Sequence, residues 1–193
     1  MNSKHKKTLR AVFAEPVAAA AHTAQLVRVE GKPYVTVVGD TAEALLTAQV
    51  LVRLNASVRL LGSEPRRFGL CEKWGIKHRH MGEVGRRADQ DVVVECTGTA
   101  SGLDLALHLV RPRGKVVLAA PGRVEAVSLA PLVEREAELI GARAGSPADA
   151  AGLLARAQVD VLPLITRRVK LADAAAAVAA AAAPEQIRIL VEI

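Results

Sequence analysis

The residues best suited by type and spacing to do chemistry are Gly39-Asp40-Thr41-Ala42-Glu43-Ala44. A β-branched, apolar run from Tyr34 to Val38 leads into Gly39, and apolar positions at Ala44, Leu45, Ala48 and Val52 follow at helical spacing. Strand, tight turn and helix in that order set backbone N–H groups at a helix N-terminus, where an anion such as a pyrophosphate can rest. A dinucleotide fingerprint has glycine at the first, third and sixth positions, for the turn, for close approach to the pyrophosphate and for helix–strand packing. Only the first is glycine here. Thr41 carries a branched side chain where the anion would lie, and Ala44 is a tolerated replacement at the sixth position. Asp40 either sets a negative charge beside that anion or caps the following helix. The framework of a dinucleotide site is present with its phosphate chemistry altered.

Other reactive side chains form no comparable constellation. Cys71, His78 and His80 have a spacing that could share a metal ion, but an H-x-H pair on a short strand sends both rings to one face, more often a solvated one. No Ser/His/Asp or Cys/His nucleophile arrangement is legible, so no catalytic or metal-binding residue is assigned. Cys71 and Cys96 lie far apart with no CxxC, which suits a reducing cytoplasm better than a disulfide scaffold. The net charge of +6 invites a nucleic-acid reading, yet the four aromatics Phe13, Tyr34, Phe68 and Trp74 are scattered and form no stacking platform. No nucleic-acid partner is expected. The alanine-rich run 174–183 falls short of the ~20 apolar residues of a membrane span, and no secretory signal order follows the basic N-terminus. A cytoplasmic protein with no membrane partner is the expectation.

The elements that must position the opening stretch are legible from periodicity and punctuation. A chain of 193 residues supports one domain with a substantial core. With 51% hydrophobic but 2% aromatic residues, that core is built from Ala, Val and Leu, as in a buried parallel sheet covered by helices. The basic segment 1–10 reads as a disordered tail. Helices are expected from Pro16 to 29, from 42 to about 55, from Pro65 to Trp74, from a Ser101 cap to 110, and over 147–158. Strands are expected at 34–38, 57–61, 76–80, 91–96, 115–120 and 138–142, with Arg111-Pro112-Arg113-Gly114 as a break and a helical turn at 129–134. This alternation predicts an α/β fold: a doubly wound, six-stranded parallel sheet of order 3-2-1-4-5-6, with ligands at the carboxyl ends of the strands near the switch point. The division is a tail over 1–10, a Rossmann-type NAD(P)-binding-like domain over 11–158 and an extension over 159–193. That extension reads as an extended stretch, an alanine-dominated helix over 171–183 and a final alternating strand over 187–193.

Several segments together carry a family resemblance: AVFAEPVAAA, VVG at the phosphate turn, DVVVECTG followed by ALHLVRPRGKVVL, ELIGARAGS, and DVLPLITRRVKLADAAAAV. From about Ala11 to its end the sequence resembles the cofactor-binding half of the medium-chain, zinc-dependent alcohol dehydrogenase-like superfamily. The resemblance implies a Rossmann fold, a nicotinamide cofactor and hydride transfer. Members carry a GroES-like catalytic domain ahead of this unit with most of the catalytic zinc ligands, and neither a GHE motif nor a four-cysteine zinc lobe occurs here. Glu15 matches a carboxylate at the metal site of polyol dehydrogenase-like members; otherwise it is an acid favoured at a helix N-terminus. Zinc is not expected. At the end of the second strand Gly62-Ser63 replaces the acid that holds the ribose of NAD, as in members that use NADP, and Arg66 and Arg67 could meet a 2′-phosphate or simply be solvated. Cys96-Thr97-Gly98 matches a segment near the adenosine and nicotinamide riboside; it serves equally as a tight strand-to-helix exit.

The cofactor-binding candidates are therefore Gly39, Asp40, Thr41, Ala44, Gly62, Ser63, Arg66, Arg67, Cys96, Thr97 and Gly98, for NADP in preference to NAD. The expected function is a degenerate NAD(P)-binding module or pseudoenzyme. The alternatives are an NADP-dependent oxidoreductase subunit completed by a separate catalytic-domain chain, and an interaction module that binds no nucleotide. The family resemblance also implies a homodimer through antiparallel pairing of strand 138–142.

Overall fold

The computed structural model describes residues 9–28 and 30–192, so most of the basic segment expected as a tail, Val29 and the final residue of the expected last strand lie outside the described residues. Valine-rich runs give the strands β1 Tyr34–Val38, β2 Ser57–Gly62, β3 Lys77–His80, β4 Gln90–Glu95, β5 Val110–Leu118 and β6 Glu138–Gly141. They form one six-stranded sheet of order β3-β2-β1-β4-β5-β6, every pair parallel. The expected doubly wound order is the observed one.

Helices cover both faces. On one, α1 Ala14–Val27, α2 Ala42–Arg53 and α6 Pro147–Ala155 bury a cluster with Val35, Val37, Leu60, Val92 and Val94. On the other, α4 Ala100–Leu109 packs Leu103, Leu105 and Leu107 against Val38, Leu61, Val93 and Val116, with α5 Ala130–Arg135 at the edge. Leu45, Leu46 and Leu51 of α2 are fully buried, each contributing about 2 kcal/mol of transfer free energy. Short α3 Phe68–Lys73 follows a 3-10 turn at Pro65–Arg67. Because successive strand residues face opposite helical layers, strands such as β4 need apolar residues on both sides, which is why DVVVEC shows no alternation.

Two local readings change. Thr99, not Ser101, caps α4: its hydroxyl accepts from the Gly102 N–H at 3.1 Å. The expected break at Arg111-Pro112-Arg113-Gly114 lies inside β5, where the register with β4 shifts between Gln90 and Val92. Pro112, with no N–H to give, is tolerated at such an irregularity, and Arg111 Nε anchors the stretch on Asp91 at 2.6 Å.

Beyond α6 the chain turns through Leu162–Leu164 into β7 Ile165–Lys170, passes a 3-10 turn at Leu171–Asp173 and α7 Ala174–Ala180, and ends in β8 Arg188–Glu192. β7 and β8 form a separate two-stranded parallel pair. The alanine helix is shorter than its composition suggests because the chain leaves it by turns before Pro184.

Candidate dinucleotide cleft

The crevice lies where β1 sits between β2 and β4, at the carboxyl ends of the strands. Gly39 N–H donates to Leu61 O at 2.7 Å and Cys96 N–H to Val38 O at 2.8 Å, so the exits of three strands are tied together. Gly39 has φ +113°, a region open to glycine, and a Cβ there would stand 3.1 Å from Thr97 Cγ2. Thr41 is the N-cap of α2: its Oγ1 accepts from Ala44 N–H at 3.2 Å. The cap is thus Thr41 and not Asp40, and Ala44 is fully buried where helix meets strand.

Asp40 reaches away from its own turn. Its Oδ2 accepts from the N–H of Ser63 at 2.8 Å and of Glu64 at 2.7 Å, and its Oδ1 faces Arg67 Nη1 at 3.1 Å. Gly62 makes this possible, since a Cβ on it would lie 2.6 Å from Asp40 Oδ2. The Arg67 guanidinium also donates to the carbonyls of Asp40 at 2.8 Å, Pro184 at 2.9 Å and Gln186 at 2.9 Å. Of the two arginines singled out from sequence, Arg67 therefore faces the cleft through Asp40, whereas Arg66, 74% exposed, points to solvent beside Glu64.

The remaining candidate segment is organised by Glu95, a carboxylate only 2% exposed. It accepts from Thr97 N–H at 2.6 Å, from the Thr97 hydroxyl and from Gly98 N–H at 3.1 Å. Gly98, at φ +65°, lies so close to the loop after β5 that a Cβ on Gly122 would stand 2.0 Å from Gly98 O. Burial pushes the Cys96 thiol far up, with the carboxylates of Glu95 and Glu43 adding to the effect, so it is no nucleophile.

Two clefts open from this crevice. One, of about 510 Å³, lies between the start of α2 and the C-terminal unit, with Thr41, Glu43, Arg67, Gln186 and Arg188 on its walls. The other, of about 530 Å³, runs from Glu15 and Pro16 past Ala119 and Pro121 to Arg143. Glu43 and Arg188 line both, and their side chains form an ion pair at the boundary. Sequence reasoning did not single out Glu43, Glu95 or Arg188. Glu95 had a signal, an acid closing an apolar run; the Glu43–Arg188 pair had none, its partners being 145 positions apart.

Among the described residues no group of three or more His, Cys, Asp or Glu side chains could hold a metal ion. His78 stacks on Phe68 with ring centroids 4.7 Å apart, and Cys71 is buried. Among the described residues no helix is long and apolar enough to cross a membrane.

Sheet order, glycine turn and crevice together define a Rossmann-type α/β domain. A model of zinc-binding dehydrogenases matches residues 44–158, and the chain belongs to that family. It is 26% identical over 178 residues to 2-dehydro-3-deoxy-L-galactonate 5-dehydrogenase of Pseudoalteromonas atlantica, a match covering 86% of this chain and 52% of that protein. The fold is similar to that of L-idonate 5-dehydrogenase from Escherichia coli, with TM-score 0.88 and 22% identity over 96% of this chain and 57% of the other. It is likewise similar to a Sinorhizobium meliloti structure described as a zinc-binding dehydrogenase bound to NADP, with TM-score 0.86 and 25% identity over 95% and 59% of the two chains. The chain thus spans about half the length of the relatives it matches.

Proposed function

We propose that this chain is a dehydrogenase-type Rossmann module whose dinucleotide cleft is degenerate, a pseudoenzyme with no dehydrogenase activity of its own. The observation that carries this reading is the start of α2. A pyrophosphate would need the free N–H groups and positive potential there, but Thr41 Oγ1 already takes the Ala44 N–H and the Glu43 carboxylate stands in the first turn. Arg188, a cation that could meet a phosphate, is neutralised by Glu43. As folded, these groups do not fit NAD or NADP, and no hydride-transfer step is assigned to them. Nor do the described residues fit a zinc ion, Glu15 being an acid with no converging ligands.

The test is a titration of purified protein with NADPH and with NADH, followed by cofactor fluorescence. No saturation up to about 1 mM is expected, the range in which binding energy falls to about 4 kcal/mol. Saturable binding below that concentration overturns the reading. A second reading, an NADP-dependent oxidoreductase subunit completed by another chain, is favoured by Gly62-Ser63 at the end of β2 and by the NADP bound to the Sinorhizobium relative. Alcohol oxidation on mixing with a GroES-like partner, zinc and NADP would select it.

Assembly belongs to the same proposal. The sheet has two edges of different character. β3 carries Lys77, His78, Arg79 and His80, charges and rings that discourage strand addition, whereas β6 reads Glu-Leu-Ile-Gly, with Leu139 38% exposed and Val133 on neighbouring α5 81% exposed. We propose a twofold homodimer through β6. Light scattering that reports a monomer at high concentration refutes it.

A further inference from the structure

We propose that Asp40 is a built-in occupant of an anion site, a carboxylate that fills from within a cradle suited to a phosphomonoester. The proposal deepens the reading of a degenerate cleft and concerns a different corner of it, the end of β2.

Two observations carry it. First, the donors around the carboxylate are those an oxyanion would use: the N–H groups of Ser63 and Glu64 and the guanidinium of Arg67, all aimed at two oxygens. Second, Asp40 has no task in its own turn. Gly39 supplies the positive φ and Thr41 the helix cap, so the Asp40 side chain serves only groups 23 to 27 positions away. A phosphate in place of the carboxylate could take the same three donors.

The surrounding charges agree. Glu64 turns its carboxylate towards Arg66, accepting from the Arg66 N–H at 3.2 Å, and so leaves the cradle. Arg67 holds Pro184 O and Gln186 O with Nη2, while Nη1 serves the Asp40 carbonyl at 2.8 Å as well as the carboxylate. Gly62 keeps the cradle open, because any side chain there would enter the space the carboxylate now uses.

Removing the Asp40 carboxylate should convert the cradle into a binding site. The experiment compares wild type, Asp40→Ala and the double variant Asp40→Ala/Arg67→Ala by calorimetry and thermal melting. The probes are inorganic phosphate, 2′-AMP and 5′-AMP at fixed ionic strength. Asp40→Ala is expected to bind phosphate or 2′-AMP at least about 10-fold more tightly than wild type, a difference of about 1.4 kcal/mol, and to lose the gain in the double variant. Preference for 2′-AMP over both other probes assigns the site to a terminal ribose phosphate, and equal response to inorganic phosphate assigns it to a bare anion. If Asp40→Ala accumulates only as unfolded protein, refolding in phosphate is compared with refolding in chloride, and a gain in phosphate that the double variant does not share supports the proposal. Equal affinities in wild type and Asp40→Ala, or equal refolding yields, overturn it. Cofactor binding by the wild type would overturn the reading of the cleft alone; the role of Asp40 stands or falls on the difference between variant and wild type.

Discussion

Replacing Arg67 by alanine should loosen the C-terminal unit from the sheet. Arg67 is one side chain that joins the two, beside the Glu43–Arg188 pair: one nitrogen faces Asp40 and the other meets the carbonyls of Pro184 and Gln186. The ion pair is largely withdrawn from water, with side-chain exposures of 15% for Arg67 and 7% for Asp40. Breaking a buried pair by deleting one partner costs about 3–5 kcal/mol, because the other charge stays behind. Asp40 retains two backbone N–H donors after the change, and the exposed Pro184 carbonyl can turn to water, so the expected loss lies at the lower end, about 3 kcal/mol. For a chain of this size that is a fall in melting temperature of roughly 6–12 °C. Urea denaturation measures the free energy, and amide exchange followed by mass spectrometry locates it. Exchange should rise first in β8 and in the turn 181–187, ahead of β1 and β4. Arg67→Lys should restore less than half of the loss, since an ammonium cannot reach Asp40 and both carbonyls as the planar fork does. A loss below about 0.5 kcal/mol, the range of an ordinary surface substitution, with β8 protected as in wild type, would refute the argument.

The other expectations concern thiols, acid and glycine. Burial, with the carboxylates of Asp40 and Glu72 adding to it, pushes the Cys71 thiol up to about 11, and Cys96 is pushed higher still, so native protein should react negligibly with a disulfide reagent at pH 8 and both thiols should titrate after unfolding; rapid native labelling would contradict this. Burial alone would raise the Asp91 carboxyl, but the Tyr34 N–H at 2.7 Å and the Arg111 guanidinium outweigh it and hold it below the usual carboxylate range. A depressed folded value means that the contribution is present above the unfolded value of about 3.9 and is lost as pH falls through the folded one. Asp91→Asn should therefore narrow its stability gap to wild type between pH 5 and about pH 2 in urea melts; a constant gap would count against the assignment. Gly122→Ala places a methyl 2.0 Å from a backbone oxygen and should cost about 1–3 kcal/mol, whereas Gly141→Ala, with nothing within 4 Å, should be nearly neutral in the same melts.

Much of the fold was legible because its signals are local. Valine runs bounded by glycine and proline mark β1, β4 and β5, and their alternation with helical stretches leaves few topologies open. The missed details arise where neighbouring residues compete for one role. Asp40 and Thr41 are both good cap residues, as are Thr99 and Ser101, and only the path of the chain decides which hydroxyl meets the free N–H. The turn at Gly39 was readable from a single glycine, but the destination of the Asp40 carboxylate was not, because its partners lie on the next strand's exit. Arg67 could be singled out as a phosphate-seeking group by its place after β2; that the chain supplies its own carboxylate to it depends on the missing side chain of Gly62.

The sequence holds a single tryptophan, Trp74, just after α3. Its indole Nε1 donates to Asp160 Oδ2 at 3.3 Å; the same oxygen takes Lys73 Nζ at 2.7 Å, and the Asp160 N–H is held by Gln49 Oε1 at 2.7 Å. Asp160 belongs to the link by which the polypeptide leaves the sheet for β7. The molecule therefore carries a native fluorophore at that joint and no other indole to obscure it. Its emission reports whether the link is seated, and a shift in that emission ahead of the loss of sheet structure would mark the parting of the link.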